Sequence, residues 1–424
     1  MQWFRQAQPP NLLLIGHSHP LNYTAYMKFS FFRIFFILMP LLLVISCGST
    51  KIESPPEEIA TEETCSESQL TLLFAGDIMA HSVNYNFGNF DAIWSDIAPA
   101  VSAADLAFAN VEAPVDDKLP WSTYPQFNMH GTYIDAAIKA GFDVFSLANN
   151  HTNDQSLSGM KGTLSYFKKH KHVQACGIKE KANAPLTYQI IEKNGWKILF
   201  VAFTEILNSP DSASYIDHIP TKGKKHETIL SDLKKLREEH PCDVFVVSVH
   251  ADEPEYVRKV FDYQKKFYHA LIKEAGADVV WSNHAHIVKE WEIVPQNEDA
   301  HEADGTSGEH GGLIMYANGN TISGQRSNPQ FKSPETDRDY TGDGLLMTVT
   351  LTKKMYSDGK AEISIEKLEP LFITTYITPA WQFVIRLMDD DLLHSLRRAG
   401  LNTWADYLAE RKKIMEAYKE KSTW

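Results

Sequence analysis

Short apolar runs recur along the chain from residue 70 onward, and most of them stop abruptly at a glycine or a polar side chain. Runs of this length with such boundaries are typical of buried strands. We predict strands at 70–75, 106–109, 142–148, 186–191, 197–203, 243–249, 276–281 and 313–317. Segments with helical spacing lie between most of these runs, so the pattern predicts strand–helix alternation and an α/β fold.

The helices and turns follow from the same pattern. Helical spacing is found at 91–102, 133–140, 160–170, 227–239 and 262–275. Asn194-Gly195 separates two apolar runs and predicts a hairpin turn. Closer to the C-terminus, the runs 344–351 and 361–368 predict a second hairpin, and the chain from Trp381 is predicted to be helical and charged.

The N-terminal region has a different pattern. Met27 is followed by a positively charged stretch, by the apolar core Ile34–Ile45 and then by Ser46-Cys47. The core has signal-peptide length and is too short for a comfortable membrane span. Its end resembles a bacterial lipobox, so we predict translation from Met27, a lipoprotein signal peptide within 1–47 and lipidation of Cys47. The alternative is an uncleaved N-terminal anchor, and both place the body of the protein in the cell envelope, outside the cytoplasm.

The remaining chain divides into three predicted parts. Residues 48–69 are rich in Ser, Thr, Glu and Pro, which is typical of a solvated tether. The main domain is predicted to span 70–325. Residues 326–424 are predicted to add C-terminal strands and a helical extension.

Composition narrows the possible functions. The chain has 424 residues, of which 43% are hydrophobic and 11% aromatic, as in globular proteins. Its net charge of -13 argues against general nucleic-acid binding, although an anion could still bind through a metal ion. The four cysteines are too scattered for a zinc knuckle or a disulfide framework. The sequence has no nucleophile elbow, P-loop or dinucleotide-binding glycine motif.

Side chains suited to metal binding follow strand after strand. They are Asp77, Glu112, Asn150, His250, His284 and His286. Open α/β sheets bind ligands at the carboxyl ends of their strands. Carboxylates and imidazoles without thiolates suit a hard or first-row divalent metal, or two such ions about 3.5 Å apart. Each residue alone has an ordinary structural explanation, but together they favour a metal site. An extended His284-x-His286 would place both rings on one side.

The segment 145–162 carries the densest group of polar residues. His151 is the candidate that does not ligate a metal, and its imidazole could protonate a leaving oxygen. We predict supporting roles around the site for His81, Asn149, Asp154 and Asn320. The alternative explanation of this segment is an Asn-rich turn that caps a helix.

Six segments occur in an order that resembles a known family. They read GDIMAH, NVEAPV, SLANNHTND, VVSVHADEPEY, AGADVVWSNHAHIV and MYANGN. This set resembles the CapA family of capsule and poly-γ-glutamate synthesis proteins, a branch of the calcineurin-like metallophosphoesterase superfamily. The resemblance covers roughly residues 70–323. It implies a four-layer α/β/β/α sandwich with two metal ions at the strand ends. The six residues named above would then be the ligands, and His151 the acid.

Some positions depart from the family pattern. After the fifth strand the family usually reads His-Trp-Gly-x-Glu-Tyr, whereas residues 250–256 read HADEPEY. Met79 stands where related enzymes often carry a histidine, which leaves open whether His81 compensates. These departures bear on the shape of the loops and on the completeness of a two-metal site.

The sequence therefore supports two main functional hypotheses. The first is a surface-anchored hydrolase that uses Mn, Fe, Zn or Mg ions on a phosphoester or a polyglutamate-type amide. The second is a non-catalytic protein that binds or helps export an anionic polymer, with a capsule-synthesis complex as its setting. Only the first requires His151 as a proton donor. A third, a structural lipoprotein with a decayed site, conflicts with the intact candidate ligands.

Overall fold

Two β-sheets pack face to face, and helices cover the outer face of each. The computed structural model describes residues 64–295, 311–331 and 337–421. The strands are β1 Thr64–Ile78, β2 Leu106–Val111, β3 Val144–Ser146, β4 Gln174–Cys176, β5 Tyr188–Lys193, β6 Trp196–Thr204, β7 Val244–His250, β8 Val279–Asn283, β9 Trp291–Pro295, β10 Gly311–Met315, β11 Asn320–Ile322, β12 Asp343–Tyr356, β13 Ala361–Ile377 and β14 Phe383–Leu387. The helices are α1 Ser82–Tyr85, α2 Asp91–Trp94, α3 Ala98–Ala103, α4 Gly131–Lys139, α5 Ser156–Lys169, α6 Lys224–Glu239, α7 Asp262–Lys273, α8 Asp390–Arg398 and α9 Asn402–Lys421.

Each sheet contains one block of mutually parallel strands. The first sheet runs β14-β13-β12-β1-β2-β3-β4, with β11 also paired to β1. The second runs β5-β6-β7-β8-β10-β9. Strands β1 to β4 are mutually parallel, as are β6, β7, β8 and β10. The carboxyl ends of each parallel set therefore open at one edge of its sheet, where α/β proteins bind ligands.

Alternation along the strands explains the layers. On β1, Leu72 and Phe74 belong to the core between the sheets, whereas Leu73 and Ala75 belong to the core beneath the helices. Successive side chains point to opposite faces, and both faces are apolar because both are covered. A third core lies between the second sheet and helices α6 and α7. The predicted four-layer α/β/β/α sandwich is thus confirmed.

The predicted hairpins are also found. Strands β5 and β6 pair antiparallel, and the turn between them has positive φ at both Asn194 and Gly195, with values of 52° and 78°. These are the angles that a tight two-residue hairpin requires. Strands β12 and β13 form the second hairpin, from Asp343 to Ile377.

Three predictions about element boundaries were wrong. Strand β1 begins at Thr64 and pairs with β12 over Thr64–Phe74, so the tether cannot extend to residue 69. The chain after Trp381 is not wholly helical, because β14 adds an edge strand before α8. The predicted helix at 91–102 is divided into α2 and α3, with a proline in the first turn of α3.

The C-terminal strands are integral to the first sheet, since β12 pairs directly with β1.

None of the helices in the described part of the chain has the length and apolar character needed to cross a membrane. The predicted signal peptide and Cys47 lie outside the described residues.

Candidate metal centre

The predicted metal ligands meet at the strand ends. Asp77 lies at the end of β1, directly across from Asn110 on β2 and Asn320 on β11. Gly76 makes this approach possible, because a Cβ there would lie 1.8 Å from the Gly319 oxygen. That oxygen accepts a hydrogen bond from the Asp77 amide at 3.0 Å. A glycine before the aspartate thus allows two strand ends to meet closely.

Two groups of ligand atoms share one carboxylate. Asp77, Glu112 and His286 form the first group, and Glu112, His250 and His284 form the second, each with its ligand atoms within 4.8 Å of one another. The Asp77 Oδ2 atom lies 3.2 Å from His286 Nδ1, and Glu112 Oε1 lies 3.6 Å from His286 Nε2. A shared carboxylate between two groups is an arrangement that could hold a pair of ions.

The second group is equally close. His284 Nδ1 lies 3.1 Å from His250 Nε2, which is also 2.9 Å from the Asn150 Oδ1 atom. Glu112 Oε1 lies 3.8 Å from the same His250 nitrogen. The structure therefore brings all six predicted ligands together, with Asn150 reaching the second group through His250.

The unpartnered atoms of these residues fit a bound cation. Both Glu112 oxygens, Asp77 Oδ2 and His250 Nδ1 are buried and accept or donate no hydrogen bond among the described residues. An unpaired buried carboxylate is costly, and native proteins rarely leave one without a counter-ion or donor. Burial, and then the charge of Asp77, raise the pKa of Glu112 well above its usual range. A divalent ion would remove this conflict.

The imidazoles are held largely in the form that binds metals. Burial, and then the neighbouring His286, lower the pKa of His284 to about 4. Burial and the same histidines lower the pKa of His250 well below its usual value. His286 differs, because burial opposes its charged form but the neighbouring Asp77 carboxylate outweighs burial and raises that pKa. Neutral imidazole is the ligand form of histidine.

The predicted extended conformation of His284-x-His286 is wrong. Strand β8 ends at Asn283, and the two histidines have φ angles of 102° and 57°. Such left-handed conformations are uncommon outside glycine and often mark functional sites. They direct the two rings into different ligand groups, with ring centres 6.0 Å apart.

His151 lies beside this cluster and is firmly oriented. Its Nδ1 atom is 2.7 Å from Asp154 Oδ2, which also accepts the Phe127 amide at 2.7 Å. The Phe127 ring meets the imidazole edge-on at 4.9 Å. The Asn208 amide lies 3.3 Å from the same Nδ1 atom. His151 is in neither group of potential ligands among the described residues.

The other predicted supporting residues divide by position. Asn320 Oδ1 lies 3.1 Å from His286 Nδ1 and so helps to orient that ring. Asn149 donates to the Val111 carbonyl at 2.8 Å, and its Oδ1 atom accepts the His151 amide at 3.2 Å. His81 accepts the Gly324 amide at 3.0 Å on Nδ1 and belongs to neither group of potential ligands among the described residues.

An open cleft of about 470 Å³ lies against the cluster. His81, His151 and His286 line it, and so do Glu255 and Arg338. Sequence reasoning missed Asn208, Glu255, Tyr256 and Arg338. Asn208 and Arg338 lie in irregular polar segments without any recognisable pattern, whereas Glu255-Tyr256 was visible only as part of a family motif with altered spacing.

A buried carboxyl close to the centre provides a pH-dependent test. Burial raises the pKa of Glu205 from 4.5 to about 7, although its Oε2 atom accepts the Asp252 amide at 3.1 Å. Since the folded state holds this proton more tightly, the free energy of unfolding should fall as pH rises from 4.5 to 7. The glutamine in Glu205→Gln cannot titrate, so the free energy of unfolding of this variant should not show this fall. Relative to the parent, the variant should therefore gain up to ~3 kcal/mol of stability between pH 4.5 and pH 8. Urea unfolding of both proteins at the two pH values measures this, and equal pH dependence would contradict it.

Comparison with known proteins is consistent with the strand-end pattern. Residues 71–325 match the model of the bacterial capsule synthesis protein family PGA_cap. The capsule biosynthesis protein CapA of Bacillus anthracis is 25% identical over 299 residues, covering 68% of this chain and 67% of the relative. The PGA biosynthesis protein CapA of Bacillus subtilis (strain 168) is 26% identical over 323 residues, covering 72% and 76%.

Among solved structures, a putative 5'-nucleotidase from Staphylococcus aureus, in complex with alpha-ketoglutarate, is similar to this chain. The two share 13% sequence identity over 72% of this chain and 54% of that chain, with a TM-score of 0.39. At so low a TM-score, the fold assignment depends only on the sheet order and packed layers described above. The family match covers more than half of the chain and includes every predicted metal ligand. The chain belongs to the PGA_cap family of bacterial capsule synthesis proteins.

Proposed function

We propose that this protein is a metal-dependent hydrolase that acts on a phosphoester, or on a polyglutamate-type amide, in the metabolism of a capsule or other surface polymer. The observation that supports this most is the shared Glu112 carboxylate, buried without a hydrogen-bond donor among the described residues between two groups of ligand atoms. Family membership supports the connection to polymer synthesis.

The proposed ligands fall into two sets. Asp77, Glu112 and His286 would hold one divalent ion, and Glu112, His250 and His284 would hold the other, with Asn150 beside the second. Oxygen and imidazole donors suit Mn, Fe, Zn or Mg. Such ions supply a Lewis acid that polarises the reacting oxygen atoms.

His151 is the proposed proton donor. Asp154 holds its Nδ1 atom, and Nε2, which has only the Asn208 amide at 3.5 Å beside it among the described residues, is the nitrogen proposed to reach a ligand in the cleft that the ring lines. A carboxylate on one nitrogen fixes the orientation of the ring, as in other histidine–carboxylate pairs. The leaving oxygen of a phosphoester, or the leaving nitrogen of an amide, would accept this proton and depart as a neutral alcohol or amine.

The proposal is tested by metal analysis of the purified chain, followed by a phosphoester screen in the presence of manganese. We expect bound divalent metal, and hydrolysis that stops on chelation and returns when metal is added. Bound metal without hydrolysis of phosphoesters or polyglutamate would favour the alternative, a non-catalytic protein that binds an anionic polymer. Absence of metal would contradict both.

We further propose that the protein is lipid-anchored in the cell envelope through Cys47. The motivation is the apolar core that ends in Ser46-Cys47. Mass spectrometry of the membrane-purified chain should find Cys47 acylated at the mature N-terminus, and Cys47→Ser should yield no lipid-labelled mature form. An unmodified Cys47 in membrane-purified protein would rule this out.

A further inference from the structure

One wall of the cleft is built by residues that follow the family match. The family model ends at residue 325, whereas the turn 337–342 brings Arg338 to the cleft that His81 and His151 also line. Among the described residues that line the cleft, Arg338 is the only lysine or arginine. The sole fixed positive charge of this wall thus comes from outside the part of the chain that the family shares.

A buried arginine holds this turn in place. Arg326 donates to the Asp339 carbonyl at 3.0 Å, the Gly342 carbonyl at 3.1 Å and the Asp343 carboxylate at 2.7 Å. A Cβ at Gly342 would lie 1.9 Å from the Arg326 guanidinium carbon, so only glycine allows the guanidinium to pass. Arg411 on α9 donates to the other Asp343 oxygen at 2.8 Å. The turn is therefore fixed to the body of the protein at both ends of its span.

Arg338 itself is exposed and available. Its guanidinium carbon lies 5.7 Å from the centre of the Tyr256 ring, and that ring lies 6.1 Å from the ring of His286. Among the described residues, no carboxylate forms an ion pair with this guanidinium. Tyr256 is thus the common neighbour of a proposed metal ligand and of Arg338, which has no ion pair within the described part of the chain, and its face limits the positions that the arginine can take.

The charges in the cleft direct an anion to one place. Glu255 precedes Tyr256 and lines the same cleft as His286, where its carboxylate is an anionic group. It would repel a second anionic group there. Arg338 attracts such a group, and a guanidinium can bind a carboxylate or a phosphate through two parallel hydrogen bonds.

We propose that Arg338 binds an oxyanionic group, a carboxylate or a phosphate, of a ligand whose other oxyanionic group lies at the metal centre. The inference rests on the proposed function only in that the centre must hold divalent metal. The predicted ligand therefore carries two separated anionic groups, and Arg338 is the residue that selects for the second of them.

The test measures binding, with no need for turnover. The metal-loaded full chain is titrated calorimetrically with hexane-1,6-diol bisphosphate and octanedioate, and with hexyl phosphate and octanoate as the matched compounds with one anionic group. We expect at least one two-anion compound to bind more tightly than its partner. Arg338→Ala should weaken binding of that compound by about 10-fold or more and leave its single-anion partner unaffected. The preferred pair tells phosphate from carboxylate recognition.

Two controls make the result specific. Arg258→Ala should bind like the parent, because Arg258 stacks on Tyr340 at 4.9 Å and is not among the described residues that line the cleft. Arg338→Lys should be intermediate, since it keeps the charge without the paired donors. Equal binding by Arg338→Ala and the parent, or no preference for either two-anion compound in the parent, would overturn the inference. If the parent prefers a two-anion compound and Arg338→Ala loses that preference, but the parent hydrolyses no substrate, only the hydrolase proposal would be overturned.

Discussion

Glu112→Gln should purify with almost no divalent metal, whereas the parent should carry about two ions per chain. The reason is that Glu112 belongs to both groups of ligand atoms. Glutamine has nearly the same shape, so the substitution removes the negative charge without opening a cavity. Elemental analysis after gel filtration measures the loss.

Single-group variants test the sharing directly. Asp77→Asn and His284→Ala each affect one group only, and each should lower the metal content by about half. Glu205→Gln is the matched control, because Glu205 is also a buried glutamate but is in neither group. If Glu112→Gln retained the metal content of the parent, the shared-carboxylate arrangement would be wrong.

His151→Asn should keep its metal and lose turnover by about 10²–10⁴-fold. The imidazole lines the cleft but is in neither ligand group, and Asp154 holds its Nδ1 atom. Asparagine can keep a hydrogen bond to Asp154, yet it cannot deliver a proton to a leaving oxygen. The measurement is kcat on the best substrate from the screen, paired with metal analysis of the same sample.

The outcome separates three roles for this residue. Lost activity together with lost metal would place His151 among the ligands. Unchanged kcat would remove it from the chemistry altogether. His172→Asn, at an exposed histidine, should match the parent in both measurements and so controls for general effects of replacing histidine.

The ligand set could be predicted because parallel strands impose it. Each ligand lies at the end of a strand or within a few residues after it, and the carboxyl ends of adjacent parallel strands lie at the same edge of their sheet. Asp77 and Asn110 are aligned by the register of β1 with β2. Residue type and strand position were therefore enough to predict one group of side chains at the edge of each sheet, whereas the meeting of the two groups depends on how the sheets pack.

The rest depended on contacts that no local pattern encodes. The two positive φ angles of His284 and His286 arise where the chain leaves β8, and only the packed structure shows that they direct the rings to separate groups. Arg338 reaches the cleft because the distant Arg326 and Asp343 fix its turn. Strand β14 was missed because its short run lies next to a strongly charged helical segment.

The pairing of β1 with β12 has a consequence for how the protein is made. Leu70 on β1 lies opposite Leu351 on β12. Strand β1, which carries Asp77, can therefore pair with β12 only after most of the polypeptide has been synthesised. Such distant pairing gives a high contact order and slow folding. Until β12 arrives, β1 presents an unpaired apolar edge that is prone to aggregation. We therefore expect a nascent chain to depend on chaperones, and metal loading to follow its release from the ribosome.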